Sequence, residues 1–403
     1  MSLRVLIVSP YPISPPIHGG RVRALGLARG LARAGATVAL LCPWMPWNRR
    51  REELEPGLRC HRHLLATNVL PATPLSRLAP SLALLSLQPR SWGAPRRLLA
   101  GFSDFDVFQF EFCAHARWMD LVPAGRIVCY SAHNVERDFL AADAERYVLA
   151  RPSLRRIENL ERAAVARSDV VIACTQADLE RLSELYGEPG RGVVVPNGYD
   201  PTLLGFERGE VRAPARARLE LRPTDRAVLF VGGDATHNVE AANFLTRFAA
   251  PRLPADTKLL VAGRCAEPAF SADRRFRCFG FVQDLRPLFA AADVAVNPID
   301  FGSGSNVKLL EYLAAGLPVI STPIGVRGLP LPAHPAVRIA TRQGFVEALG
   351  DPLPASPIDR ASIEHLSWHA LGADLFRVYE DLLRGRSRSH AANGDGILRT
   401  QSA

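Results

Sequence analysis

At 403 residues, with 48% apolar and 22% charged side chains, the chain is too long for one ordinary core and has the composition of a soluble globular protein, so two α/β domains are the natural expectation. The net charge of +9 is almost all arginine, with Lys258 and Lys308 the only lysines, and dispersed arginines without a helix-turn-helix or aromatic RNA motif exclude a nucleic-acid reader. Seven cysteines without a CxxC pair or a Cys/His cluster exclude a zinc module and a disulfide framework, and point to a reducing, cytoplasmic compartment with no metal site.

Strand and helix signals alternate along the chain, which argues for parallel α/β architecture. Arg4 to Ser9 reads as a buried strand, and the opening apolar run Leu3 to Val8, followed by Pro10 and Pro12, is too short for a secretory signal. A Pro- and Gly-rich loop runs to Gly20. Arg21 to Ala34 carries Val22, Leu25, Leu27 and Leu31 on one helical stripe and stops at Gly35. Thr37 to Cys42, Val107 to Phe110, Ile127 to Tyr130 and Val170 to Ala173 are further strands, and Arg155 to Ala166 is a helix. The stretch Leu64 to Leu87 is apolar but broken by prolines and Arg77, so no run reaches the roughly 18 apolar residues of a membrane span.

Pro196-Asn197-Gly198 is a turn signal, and the irregular, charged stretch from Asp200 to Asp225 is the expected interdomain region. A second series follows, with strands at Ala227–Val231, Lys258–Ala262, Arg277–Phe281, Val294–Asn297 and Pro318–Ser321. Helices are expected at Val239–Ala249, Leu285–Ala291 and Val307–Ala315. Leu366 to Leu383 reads as a final helix and the polar tail as disordered. The expected division is therefore 1–200, 201–365, a helix over 366–385 and a tail over 386–403.

Ligands of open α/β sheets bind beyond the carboxyl ends of the strands, and three segments fall there. Gly19-Gly20 lies before the first helix, where backbone can approach an anion; a tight turn is the plain alternative. Ser131-Ala132-His133-Asn134 follows a strand. His133 could contact a sugar hydroxyl, or the segment could be a turn with Asn134 as helix cap. The strongest segment is Gly302-Ser303-Gly304-Ser305-Asn306-Val307-Lys308-Leu309-Leu310-Glu311, a glycine-serine loop running into a helix. Its free N–H groups form an anion cradle, Lys308 adds a full charge, and Glu311 sits one turn on, where it could hold ribose hydroxyls. The alternative is a Lys308–Glu311 surface pair. GxxxxGK[ST] is missing, which removes the main support for an ATPase or kinase.

This last segment, with Ala314-Ala315-Gly316-Leu317-Pro318-Val319-Ile320-Ser321-Thr322 after it, resembles the signature of the retaining, GT-B-fold glycosyltransferases of family 4, also called group 1. The resemblance takes in Gly19-Gly20, the His133 cluster, Val195-Pro196-Asn197-Gly198, Gly280-Phe281-Val282 and Ala291-Ala292-Asp293-Val294 in family order. It implies two Rossmann-like domains facing across a cleft, with the last helix crossing back to the N-terminal domain. It also implies a nucleotide-sugar donor on the C-terminal domain and an acceptor on the N-terminal one. The implied donor contacts are Gly19, Gly20, Gly233, Val282, Ser303, Gly304, Ser305, Asn306, Val307, Lys308 and Glu311, and the implied catalytic residues are His133 and Lys308.

Two departures stand out: Ser303 occupies a position where the family often has a glutamate, and Gly232-Gly233-Asp234-Ala235-Thr236-His237-Asn238 lacks the usual Arg and Lys. The chain resembles in this a subgroup of bacterial sugar transferases with a lysine before the glutamate and an Asn-Val pair, here Asn238-Val239, after the strand, and Lys308 is expected to take over the diphosphate charge.

The implied reaction moves a sugar from a nucleoside diphosphate to a glycan, lipid-linked or small-molecule hydroxyl in bacterial glycan or glycoconjugate biosynthesis. It needs no cofactor or metal, and fixed positive charge stabilises the leaving diphosphate. A nucleotide-sugar epimerase and a non-catalytic nucleotide-sugar-binding partner are the competing readings. Arg49-Arg50-Arg51, Trp44, Trp47 and Leu64 to Leu87 leave two readings open: a peripheral seat on the inner face of the membrane, or loops and one core helix.

Overall fold

Arg4–Val8 (β1) is buried along almost its whole length, as an apolar run flanked by strands on both sides must be. In the computed structural model, the described residues are 2–13, 19–44, 49–63, 93–142, 150–203, 208–265, 275–301, 305–329, 331, 334–353 and 358–398. β2 (Thr37–Pro43), β3 (Arg51–Glu55), β4 (Leu58–His63), β5 (Val107–Glu111), β6 (Ile127–Ser131), β7 (Val170–Ala173) and β8 (Gly192–Val194) join β1 in one sheet of order β3-β4-β2-β1-β5-β6-β7-β8. All neighbours pair in parallel except β3, which runs antiparallel to β4. Helices α1 (Gly19–Arg33), α2 (Gly93–Ala100), α3 (Glu136–Ala142), α4 (Ala150–Arg167) and α5 (Gln176–Tyr186) complete the windings. Alternate residues of β1 feed two cores: Val5 and Ile7 join Leu27 and Leu31 of α1, while Leu6 and Val8 join Phe108, Phe110 and Trp118.

The β3–β4 pair was not expected from sequence. β3 carries Glu52 and Glu53 on the sheet edge, where charge blocks further pairing, and Glu52 is held by Arg62 at 2.9 Å. Such a strand shows no apolar alternation to read.

The chain divides at Val195 and Pro196, ahead of the expected 200–225 region, which instead carries a helix. Within it lies α6 (Arg208–Arg218), and its Arg208, Arg212 and Arg216 have partners. Arg212 Nη1 donates to the Ala292 carbonyl (2.8 Å) and Arg216 Nη1 to the Ala291 carbonyl (2.9 Å), at the end of α8 (Arg286–Ala291), and both arginines pair with Asp293. The cations of α6 therefore satisfy the orphan carbonyls of α8. With α7 (Thr236–Asn243), α9 (Val307–Ala314) and α10 (Phe345–Gly350), they surround a second, all-parallel sheet. It contains β9 (Arg226–Val231), β10 (Thr257–Ala262), β11 (Phe276–Cys278), β12 (Val294–Asn297), β13 (Val319–Ser321) and β14 (Val337–Ile339) in the order β11-β10-β9-β12-β13-β14.

The last helix, α11 (Trp368–Leu398), belongs to the first unit. It runs on through 386–398, the segment expected as a disordered tail, since no proline interrupts its ladder. It packs on α1 through glycines. A Cβ on Gly30 would run into the Trp368 carbonyl and the Gly372 backbone, and a Cβ on Gly26 into the Trp368 ring. Two backbones this close leave no room for a side chain. Gly30→Val is therefore expected to destabilise the first unit by at least the upper end of the about 1–3 kcal/mol of ordinary overpacking. Thermal unfolding followed by near-ultraviolet circular dichroism checks this, with Gly385→Ala on α11, where an added Cβ would meet nothing within 4 Å, as the contrast.

Candidate functional site

In each sheet the winding reverses once, and the strand ends at that reversal open the crevice where ligands bind in such sheets. In the second unit the reversal lies between β9 and β12, the two strands that carry Gly232-Gly233 and Pro298-Ile299 at their carboxyl ends. Lys308, on the first turn of α9, reaches across to this point. Its Nζ donates to Asn238 Oδ1 at 2.6 Å and lies 4.6 Å from the centroid of the Phe230 ring. Crowding by protein lowers the Lys308 ammonium to about 8, an effect the negative charge of Glu311 only partly offsets. The expected alternative of a surface Lys308–Glu311 pair is thus replaced by a lysine turned onto Asn238.

Among the described residues, the amino end of α9 has no side-chain cap. Asn306 occupies the cap position, but its carboxamide donates instead to the Gly325 carbonyl (3.0 Å), which Asn297 also meets at 3.2 Å. The positive end of the helix dipole is therefore left for an outside anion. Val307 opens the helix half-buried, and Ser305 Oγ accepts from Asn197 Nδ2 at 2.7 Å. One turn on, the Glu311 carboxyl makes no side-chain hydrogen bond among the described residues. It is pushed up to about 7 by burial first and by the charge of Asp200 second. Gly302, Ser303 and Gly304 lie outside the described residues.

Around the same crevice, Gly233 is exposed with open space at its Cα, whereas Gly232 is hemmed in by Asn238 and Cys265. Gly280, at φ +60°, turns the chain after β11 and presents Phe281, 57% exposed, while Val282 packs back onto the core. The structure thus brings Gly233, Ser305, Asn306, Val307, Lys308, Glu311 and Val282 into one unit. Asn238 was visible in the sequence only as a neighbour of Val239; its contact with Lys308 bridges 70 positions.

In the first unit the reversal lies between β1 and β5, and Gly19, Gly20 and His133 gather near it. Gly19 and Gly20 are the first residues of α1 rather than a loop before it. A Cβ on Gly20 would stand 2.7 Å from Tyr11 Oη and 2.9 Å from His133 Nδ1, so only glycine lets the helix start this close to the imidazole. His133 lies between two partners: Nε2 is 2.5 Å from Glu111 Oε2, and Nδ1 is 3.1 Å from Tyr11 Oη. Burial alone would raise Glu111, but its bonds to His133 and Gln109 and the nearby Arg23 hold the carboxyl below its ordinary value. Asn134 does not cap α3. Glu161 does so from α4, accepting the N–H groups of Glu136 (2.7 Å) and Arg137 (3.0 Å). Glu111 and Tyr11 were missed in the sequence, where the only signal was a pair of polar residues, Gln109 and Glu111, ending an apolar strand.

Arg51 begins β3, and Arg50 lies 5.5 Å from the Trp44 ring. Trp47 and residues 64–87, the apolar half of the expected membrane seat, lie outside the described residues. Among the described residues, no helix is long and apolar enough to cross a membrane, and no three His, Cys, Asp or Glu side chains are grouped to hold a metal ion.

Two family models cover most of this architecture: Glycosyl transferases group 1 over residues 225–351 and Glycosyltransferase Family 4 over residues 17–203. The chain belongs to the group 1 glycosyltransferase family. A D-inositol 3-phosphate glycosyltransferase of Mycobacterium sp. (strain KMS) is 31% identical over 216 residues, 50% of this chain and 45% of that protein. The chain thus matches about half the length of the first such relatives. The enzyme of the same name from Actinosynnema mirum is 25% identical over 413 residues, 94% of this chain and 95% of the relative. Sucrose-phosphate synthase from Thermosynechococcus elongatus shares the fold, with a TM-score of 0.63 and 17% identity over 99% of this chain and 100% of that one. The group 1 signature expected at Glu311 therefore sits in GT-B architecture, on α9.

Because Lys258 and Lys308 are the only lysines, a lysine-Cε-labelled sample gives two resolvable side-chain signals. One is expected to titrate near pH 8, and Lys308→Arg should delete it. Asn238→Leu, which removes the acceptor, should shift that midpoint further down, because the charged form loses its hydrogen bond.

Proposed function

We propose that this chain transfers a sugar from a nucleoside diphosphate sugar to an acceptor hydroxyl, with retention at the anomeric carbon. The observation that carries this is the amino end of α9, a helix start without a side-chain cap among the described residues, with the depressed Lys308 ammonium on its first turn and, one turn on, the Glu311 carboxyl, which has no side-chain hydrogen bond among them. That sequence of groups matches a diphosphate followed by a ribose. The diphosphate would lie against the α9 N–H groups and Lys308, and the ribose hydroxyls would donate to Glu311. Lys308, already crowded by protein, regains charge stabilisation when an anion arrives.

In the reaction so written, the bond between the anomeric carbon and the phosphate oxygen breaks as the acceptor oxygen bonds on the same face. The acceptor proton passes to the leaving phosphate oxygen. Lys308 and the helix dipole stabilise the charge that develops there. The chemistry calls for no resident cofactor, the nucleotide sugar being a substrate. His133, with Gly20 beside it, is assigned to the sugar. The names of the relatives place a phosphorylated polyol, D-inositol 3-phosphate, at the head of the acceptors to try.

The test is release of nucleoside diphosphate from UDP-glucose, UDP-N-acetylglucosamine and GDP-mannose, with acceptor or water, and the anomeric configuration of the product read by NMR. Lys308→Ala is expected to lower kcat/KM by about a hundredfold, the scale of one lost charged stabiliser of the transition state; unchanged turnover would remove Lys308 from the diphosphate.

The pH dependence has a definite sign. Glu311, raised to about 7, becomes an acceptor-only carboxylate as pH rises through that value, and Lys308, lowered to about 8, loses its charge above its own value. kcat/KM, which reports the free enzyme, should therefore form a narrow bell between these limbs. Glu311→Gln should flatten the acid limb, and Lys308→Arg the alkaline one.

A further inference from the structure

His133 is the last of four side chains joined end to end. Tyr379, on α11, donates its hydroxyl to Gln109 Oε1 at 2.7 Å. Gln109 Nε2 donates to Glu111 Oε1, and Glu111 Oε2 meets His133 Nε2 at 2.5 Å. Gln109, Glu111 and Tyr379 are fully buried. The directions are set from the far end. A tyrosine hydroxyl donating to the carboxamide oxygen fixes which end of Gln109 faces Glu111, and a carboxylate can only accept. His133 must then carry its proton on Nε2 and present Nδ1 on the side of Tyr11 and Gly20.

The backbone bears a cost at the same place. Phe112, directly after Glu111, sits at φ +67° and ψ +157°, one of two non-glycine residues at positive φ among the described residues. Such a conformation costs on the order of 1–3 kcal/mol and persists only where the surroundings impose it.

We propose that Glu111 is the positioning residue of His133, fixing its ring and tautomer at the transferred sugar, and that Gln109 and Tyr379 hold Glu111 in turn. This rests on the assignment of His133 to the sugar. A purely structural role, tying α11 to the sheet, would need Gln109 and Tyr379 but not an acid whose second oxygen is turned to the one histidine of the site.

The test has two readouts. In protein labelled with nitrogen-15 histidine, the His133 ring, assigned by its loss in His133→Ala, is expected as the Nε2–H tautomer. Glu111→Met, similar in volume but without an acceptor, should convert it to a mixture. This readout needs no substrate. It stands even if no nucleotide sugar is turned over, an outcome that would sink the functional reading alone.

With a donor that is turned over, Glu111→Met should cost about tenfold or more in kcat with little change in donor KM, the scale of one lost charged hydrogen bond. Tyr379→Phe should cost less, in the same sense. In the His133→Ala background Glu111→Met should cost nothing further. Should the methionine variant not fold, Glu111→Gln, which keeps the shape and removes the charge, takes its place in the same cycle. An unchanged tautomer, or losses that multiply independently of His133, would overturn the proposal.

Discussion

Parallel pairing makes every strand of a sheet end on the same edge, and both candidate sites depend on that one constraint. Because β10 and β12 leave β9 in opposite directions, the loops after β9 and β12 part and leave a crevice. Asn238 comes to it from α7, which follows the first of these loops, and Lys308 from α9, which follows the second, and they meet there at 2.6 Å. In the first unit the same geometry around β1 and β5 sets Tyr11, Glu111 and Gly20 about His133. Neither cluster is local in sequence, yet each is local to the reversal of its sheet.

Charge placement in the two clusters follows opposite logics. Glu111 is deeply buried and kept ionised by the donors around it, so its charge is spent on orientation. Lys308 and Glu311 are crowded enough to disfavour their charged forms, and each has too few partners to restore them. Groups held in that state are stabilised by an incoming ligand more than fully solvated ones, because binding supplies the missing partner. The protein's share of that bargain is the desolvation already present before anything binds.

How much could be read in advance depended on range. The helix start that carries Lys308 and Glu311 was legible because a glycine-serine run, a lysine and a glutamate lie within ten consecutive positions, Gly302 to Glu311. The strands were legible as apolar runs. Asn238, Glu111 and Tyr379 were not, since what gives each its role is a partner far away in the chain. β3 was hidden by its own glutamates, which an edge strand favours. α6 was hidden because its arginines read as a solvated linker, whereas they close the end of α8. The length of α11 was misjudged because composition alone cannot tell a polar helix from a polar tail.

The membership of α11 in the first unit bears on how the protein is made. The second unit is a continuous insert, 196–367, whose two ends are stitched together by the bridge between Tyr199 and Ser367. On the ribosome it can close as soon as its own last residue emerges. The first unit, although its strands precede the insert, stays without the face that covers α1 and without Tyr379 until α11 has emerged. Of the two units, the one whose strands are made first is thus the one completed last, and a chain cut short after residue 367 would carry an intact second unit beside a first unit lacking its last helix.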